Sequence, residues 1–328
     1  MTTTSKESAL LLPHQNRLVR EIEVALSEVL STDTSRGILF VGESGTGKSH
    51  AFNVIESHFA TIPTNDVQQR ATVVRADLRA ATSTGAIIHA LLTQLGRPNI
   101  RPATKLDTLE WMLHDAFTAY GTLILLMEEM HNGLVREAKA FAYRTAELMK
   151  GLWNRTTSGL NSRGGEHAQK LVIVVSGLPV LLDVFAKDAE LASRYSSVIE
   201  APYLSLSSSE DIRLVRQVIN EFRKRFGLAQ LINPNDNDIV MRLYLATSMH
   251  LRHLEKLFAR AQSLLARQPR MDSGLELLKA AYPSALGIMN APANPFEIDR
   301  ARLEDAVATV TASRPLHKAQ SRQGSRAG

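Results

Sequence analysis

Cysteine is absent from the 328-residue chain, which excludes a disulfide scaffold, a thiolate zinc site, an iron–sulfur cluster and a cysteine nucleophile. Long apolar runs are missing too. Leu123 to Met127 and Leu171 to Val175 are each followed within a few residues by acids, glycine or proline, far below the ~20 residues of a membrane span. Met1 to Ser8 is polar and has neither the basic start nor the apolar core of a secretory signal, so a soluble, cytoplasmic protein is expected. Aromatic residues make up only 5%, which argues against a single-strand binder that stacks bases. Charge of one sign is scarce outside the last residues. The net charge is +5, but Arg314 to Gly328 carries Arg314, Lys318, Arg322 and Arg326 and no acid, so the remaining body is nearly neutral. Nucleic-acid binding therefore has to be argued from local patches.

What is present is 44% apolar residue content, enough for a sizeable core. The spacing of Leu18, Ile22, Leu26 and Val29 predicts a first helix over 14–30. Short apolar runs at Gly37 to Val41, Ala71 to Leu78, Thr122 to Met127, Leu171 to Val175 and Val198 to Leu204 read as strands separated by helices. That alternation implies a five-stranded parallel α/β sheet. After Leu206 only helical patterns remain. Ser208 and Asp211 have capping-box spacing, helices are expected over 236–247, 250–267 and 274–281, and Pro283 is expected to break the chain.

Gly42-Glu43-Ser44-Gly45-Thr46-Gly47-Lys48-Ser49 fits G-x-x-x-x-G-K-[ST], and it lies between a predicted strand and a predicted helix, as that motif requires. Glycines let backbone N–H groups close around triphosphate oxygens at the positive end of a helix. Lys48 would bridge the β- and γ-phosphates and Ser49 would ligate Mg²⁺. A second apolar run, from Thr122, ends in Glu128-Glu129. Mg²⁺ needs oxygen ligands and attack on a γ-phosphate needs an oriented water, so Glu128 is assigned to the metal and Glu129 to the water. Two acids also suit the first turn of a helix, and it is their place downstream of a phosphate loop that favours chemistry. The extra strand at 71–78, between the phosphate-loop strand and the acidic strand, together with the lack of an Asn-Lys-x-Asp guanine reader, favours ATP over GTP.

With Leu91-Leu-Thr-Gln-Leu-Gly-Arg-Pro98, Met127-Glu-Glu-Met-His-Asn132, Ser176-Gly-Leu-Pro179 and Leu191-Ala-Ser-Arg-Tyr195, the chain resembles the AAA+ ATPases over about 14–265, and within them the TniB/TnsC-type transposition regulators related to the phage Mu B protein. The resemblance implies a P-loop AAA+ core over 14–206 after a flexible arm at 1–13, a small all-helical lid over 207–285, and an extension over 286–328 with a disordered basic tail. It implies ATP and Mg²⁺ as cofactors, held between core and lid. Arg194 is identified as an arginine finger acting on a neighbouring subunit and Arg252 as the second sensor of a Gly-x-x-Arg motif whose glycine is here Met249; where relatives have Gly-Thr-Pro the sensor hydroxyl is absent unless Ser176 supplies it. His250 and His253 read as solvated or capping residues. Glu128 stands where the family usually has Asp, so slow hydrolysis is expected. The implied function is an ATPase that oligomerises on duplex DNA without sequence preference, as a ring or filament, and recruits a transposase with a target-selection protein in a bacterial cytoplasm, near the nucleoid. Alternatives are a replication or helicase-loading ATPase, and an ATP-switched signalling protein that does not bind DNA. Candidate DNA-facing residues, read from charge, are Arg79, Arg97, Arg101 and Lys105, and Lys150, Arg155 and Arg163. The lid adds eleven basic residues against six acids over 208–270.

Overall fold

Runs of β-branched and aliphatic residues with no polar alternation suit strands covered on both faces, and that is how the three inner strands of the sheet are used. The structure, a computed structural model, describes residues 11–32, 34–60, 72–79, 81, 83–101, 104–135, 139–155, 170–287 and 293–313, without the side chains of 139, 154 and 155. The chain divides into two compact units, Met1–Ala201 and Pro202–Gly328.

In the first unit the elements run α1 (Pro13–Ser31), β1 (Arg36–Gly42), α2 (Lys48–Phe59), β2 (Val73–Asp77), α3 (Thr84–Gln94), α4 (Leu106–Tyr120), β3 (Ile124–Glu128), α5 (His131–Leu134), α6 (Lys139–Arg155), β4 (Val172–Gly177), α7 (Val180–Lys187), α8 (Ala189–Arg194) and β5 (Ser197–Ala201). The five strands form one parallel sheet in the order β2-β3-β4-β1-β5. Alternate strand residues face opposite layers. Ile38, Phe40, Leu126 and Val174 pack with Leu18, Ile22, Phe52 and Ile55 of α1 and α2. Leu39, Val41, Met127 and Val175 pack with Leu91, Leu113, Met149 and Leu181 of α3, α4, α6 and α7. Each such fully buried aliphatic side chain contributes about 1.5–3 kcal/mol relative to exposure.

Two expectations about the strands are corrected here. The acidic strand is separated from the phosphate-loop strand as expected, but the strand between them in space is β4, while the run at 71–78 becomes the edge strand β2. The run from Val198 to Leu204 shortens to Ser197–Ala201 because Pro202 has no N–H for the ladder.

The second unit has no strand among its described residues. Its helices are α9 (Ser209–Arg225), α10 (Asn237–Thr247), α11 (Leu251–Arg267), α12 (Gly274–Ala285) and α13 (Arg300–Ser313). Ser208 Oγ accepts the Asp211 N–H at 3.1 Å, and Asp236 caps α10 through the N–H of Asp238 at 2.9 Å. Pro283 does not break the chain. Its missing N–H would leave the carbonyl of Lys279, four residues back, without a partner; Asn294 Nδ2 donates to that carbonyl at 3.0 Å, and α12 continues to Ala285. Arg242 donates to the carbonyls of Pro295 and Ile298 at 2.8 and 3.0 Å, while Leu303 and Val307 of α13 are buried. Arg314 to Gly328 and residues 1–10 lie outside the described residues. No helix among the described residues is long and apolar enough to cross a membrane.

Candidate nucleotide site

The phosphate loop leaves β1 at Gly42, where a Cβ would stand 2.6 Å from the Ala201 carbonyl. Gly45 and Gly47 take φ values of 81° and 90°, a region that side chains disfavour, and Gly47 is the N-cap of α2. The loop therefore ends on the unpaired N–H groups of a helix start, an anion-binding arrangement. Within it Thr46 Oγ1 donates to the Glu43 carbonyl at 2.9 Å, and Lys48 Nζ donates to the carbonyls of Gly42 and Glu43 at 2.6 and 2.8 Å. Ser44 is exposed.

A brace from α1 holds this loop from outside. His14 Nε2 lies 3.1 Å from the Thr46 carbonyl, and Gln15 Nε2 donates to the Gly47 carbonyl at 2.9 Å while its Oε1 accepts the Leu12 N–H at 2.9 Å. Both side chains are buried. Burial, reinforced by the charge of Lys48, pushes His14 down from its ordinary value near 6.5 to about 4, so it is neutral at physiological pH.

The acids enter from β3. Glu128 is 1% exposed and Ser49 Oγ donates to its Oε1, while Arg75 on β2 grips its Oε2 through Nη2 at 2.5 Å and Nε at 3.1 Å. Glu129, directly after the strand, adopts φ +59°, a left-handed backbone uncommon for a residue with a side chain. Such strain clusters at functional sites. His131 Nε2 sits 3.7 Å from Glu129 Oε2, and its Nδ1 accepts the N–H of Leu178, just past β4, at 3.4 Å. The side chain of His131 thus ties the loop after β4 to Glu129. Desolvation lowers the Lys48 ammonium below its ordinary value, opposed by Glu129 first and then by Glu43 and Glu128. His131 is lowered by burial, with Glu129 opposing.

Ser49 and Glu128 present hard oxygens beside the lysine, a donor set that fits Mg²⁺ and has no soft ligand. Ser176 follows Val175, the partner of Met127, so it stands next to Glu128 on the adjoining strand. It is fully buried and its Oγ has no hydrogen-bond partner among the described residues.

Other assigned residues are placed differently. Arg194, last residue of α8, bonds Glu190 and the Lys150 carbonyl, the latter at 3.2 Å. Lys150 is surrounded by Asp188 at 2.9 Å, Glu147 at 3.0 Å and Glu190 at 3.3 Å, which raise its pKa and leave no net positive charge there for a phosphate backbone. Arg79 pairs with Asp77, and Arg97 with Asp115 at 2.9 Å. Arg101 and Lys105 form no ion pair among the described residues. Arg155 ends α6 with its side chain outside the described residues, as is all of Arg163. In the second unit Arg252 is exposed in the first turn of α11. Met249, standing where the resemblance expects glycine, adopts φ +50°, so the backbone keeps a glycine-like conformation after the side chain has changed. His250 precedes α11 and stacks on His253 at 4.9 Å and on Tyr203 at 5.7 Å. No cluster of three or more metal-ligating His, Asp or Glu residues occurs among the described residues.

Sequence reading missed Arg75, His14 and Gln15. A cation flanked by apolar residues, Val74 and Ala76, midway along a strand was the available sign for Arg75; the α1 pair carries none, since their partners are backbone carbonyls 32 residues away.

Comparison with known proteins agrees with this geometry. Residues 31–185 match a family model described as an AAA domain, and that segment is an AAA-type P-loop domain. No curated protein matches the chain. Among solved structures, the fold is similar to the Aeropyrum pernix ORC2 protein in ADPNP and ADP complexes (14% identity, TM-score 0.58, covering 85% of this chain and 70% of that one). It is similar to the CDC6P protein of Pyrobaculum aerophilum (13%, TM-score 0.59, 94% and 82%). It is also similar to the Aeropyrum pernix ORC1 protein in complex with DNA (15%, TM-score 0.55, 84% and 66%).

Proposed function

We propose that this protein is an ATPase that binds duplex DNA under nucleotide control, acts when assembled with copies of itself, and serves a replication-type role such as initiation or helicase loading. The observation that carries the ATPase reading is the junction of Ser49, Glu128 and Lys48, with Glu129 turned by its backbone immediately beyond the strand end. The loop N–H groups and Lys48 would bind the β- and γ-phosphates. Ser49 and Glu128 would hold Mg²⁺, which when bound neutralises phosphate charge. Glu129 would orient the attacking water, and the unpartnered Ser176 hydroxyl would sense the γ-phosphate. Arg194 would complete the site of a neighbouring copy. The replication-type role rests on the fold shared with the archaeal initiator-type proteins, one of them solved with DNA.

A second reading, a transposition regulator that recruits a transposase and a target-selection protein, is favoured by Met127-Glu-Glu-Met-His-Asn132 and Leu191-Ala-Ser-Arg-Tyr195. Among the described residues, Arg101 and Lys105 are DNA-facing candidates whose charge is not paired.

Electron microscopy with a non-hydrolysable ATP analogue, with and without random duplex, beside Lys48→Ala, tests the common part. Rings or filaments on DNA that need nucleotide and vanish in the variant are expected. A monomer indifferent to both would leave only a protein-directed switch. Capture of a replicative helicase by the assembled protein supports the first role, and capture of a transposase replaces it with the second.

A further inference from the structure

The chemistry so far uses one oxygen of Glu128. The other is held by a residue to which nothing above gives a task. Arg75 bonds Oε2 through two nitrogens, and its own guanidinium is fixed in turn: Nη1 donates to Asn53 Oδ1 at 2.5 Å and to Glu56 Oε2 at 2.9 Å, and the group lies 5.6 Å from the centre of the Phe52 ring. Phe52, Asn53 and Glu56 all belong to α2, the helix whose first residues are Lys48 and Ser49. The guanidinium thus locates the Glu128 carboxylate relative to the helix that carries the serine hydroxyl.

We propose that Arg75 is the positioning residue for Glu128, holding Oε2 so that Oε1 alone meets Ser49 and the divalent cation. A glutamate reaches one carbon–carbon bond, about 1.5 Å, further than an aspartate and has one more rotatable bond. At 1% exposure a misdirected carboxylate finds no water to satisfy it. A planar fork fixes both the distance and the plane of a carboxylate, which a lysine ammonium does not. Arg75 is thereby what lets a glutamate serve at this position. Outer partners that orient a metal-facing carboxylate typically alter metal affinity by about 10–100-fold when removed.

This inference rests on the ATPase reading, and the experiment separates the two. A fluorescent ATP analogue is titrated with Mg²⁺, and separately bound in EDTA, for the wild type, Arg75→Met, Arg75→Lys, Glu128→Asp and the double variant Arg75→Met/Glu128→Asp, with a thermal melt of each. Arg75→Met and Arg75→Lys are expected to raise the Mg²⁺ half-saturation by about tenfold or more, with binding in EDTA unchanged. Shortening the acid removes the slack that Arg75 takes up, so the double variant is expected to bind Mg²⁺ better than Arg75→Met alone, a non-additive pair. An Arg75→Met protein that melts lower but keeps the wild-type Mg²⁺ dependence overturns the proposal, as does an additive double variant. A wild type that binds no nucleotide at all overturns the ATPase reading instead.

Discussion

Two ion clusters in the first unit use the same residue types for opposite ends. Around the phosphate loop, Lys48 and Arg75 face Glu43, Glu56, Glu128 and Glu129. Around the end of α8, Lys150 and Arg194 face Glu147, Asp188 and Glu190. The first is built at strand ends and a glycine loop, with its central carboxylate buried and one acid on a left-handed backbone. The second is built from helix surfaces, its carboxylates roughly a third to a half exposed. In the first, carboxylates outnumber cations by two, and Glu43, Glu128 and Glu129 lie around a loop shaped for phosphate, an arrangement that would accommodate a divalent cation. In the second, the anions already surround their cations. The difference shows that backbone geometry, more than charge content, separates a site from a surface network.

The sharpest way to break the comparison is to disable one acid in each cluster. Glu129→Gln keeps the shape and removes the base; ATP hydrolysis is expected to fall by about 10²–10⁴-fold while analogue binding persists, read from single-turnover kinetics. Unimpaired hydrolysis would remove Glu129 from the mechanism. The next effect is on stability against pH. The buried brace residue His14 has a folded value near 4 against 6.5 when exposed. Below 6.5 the unfolded chain binds a proton that the folded chain refuses, so stability falls with pH, by about 2 kcal/mol between pH 7 and pH 5. Urea melts across that range should show a shallower loss for His14→Gln, and identical slopes would mean that His14 is not neutral in the fold. The smallest effect belongs to the half-exposed cluster: Glu190→Gln is expected to change unfolding free energy by less than about 1 kcal/mol in chemical denaturation. A larger loss would place that cluster among the structural supports of the domain.

Legibility followed the range of the interactions. Gly42 to Ser49 and the pair Glu128-Glu129 were readable because each motif is contiguous, and the inner strands β1, β3 and β4 were readable because burial on both faces leaves apolar runs. The sheet order was not, since nothing within β2 says that it will lie at the edge with β4 in the middle. Arg75 was invisible as a partner of Glu128 because their pairing exists only through the register Asp77↔Glu128. Lys150 read as a free cation because two of its three partners lie 38 and 40 residues further on, at Asp188 and Glu190. The left-handed turn at Glu129 leaves no trace in composition, whereas the one at Met249 was foreshadowed by the glycine that the resemblance expects.

Arg194 is already occupied. On the reading in which it serves a neighbouring copy, its arrival at a phosphate is an exchange of anions, Glu190 for the incoming group, and an exchange between molecules depends on how often they meet. On that reading dilute chains would keep the arginine at home and crowded ones would hand it over. The contact would then work as a threshold, tying the onset of turnover to local abundance and sparing nucleotide in chains that have found no company.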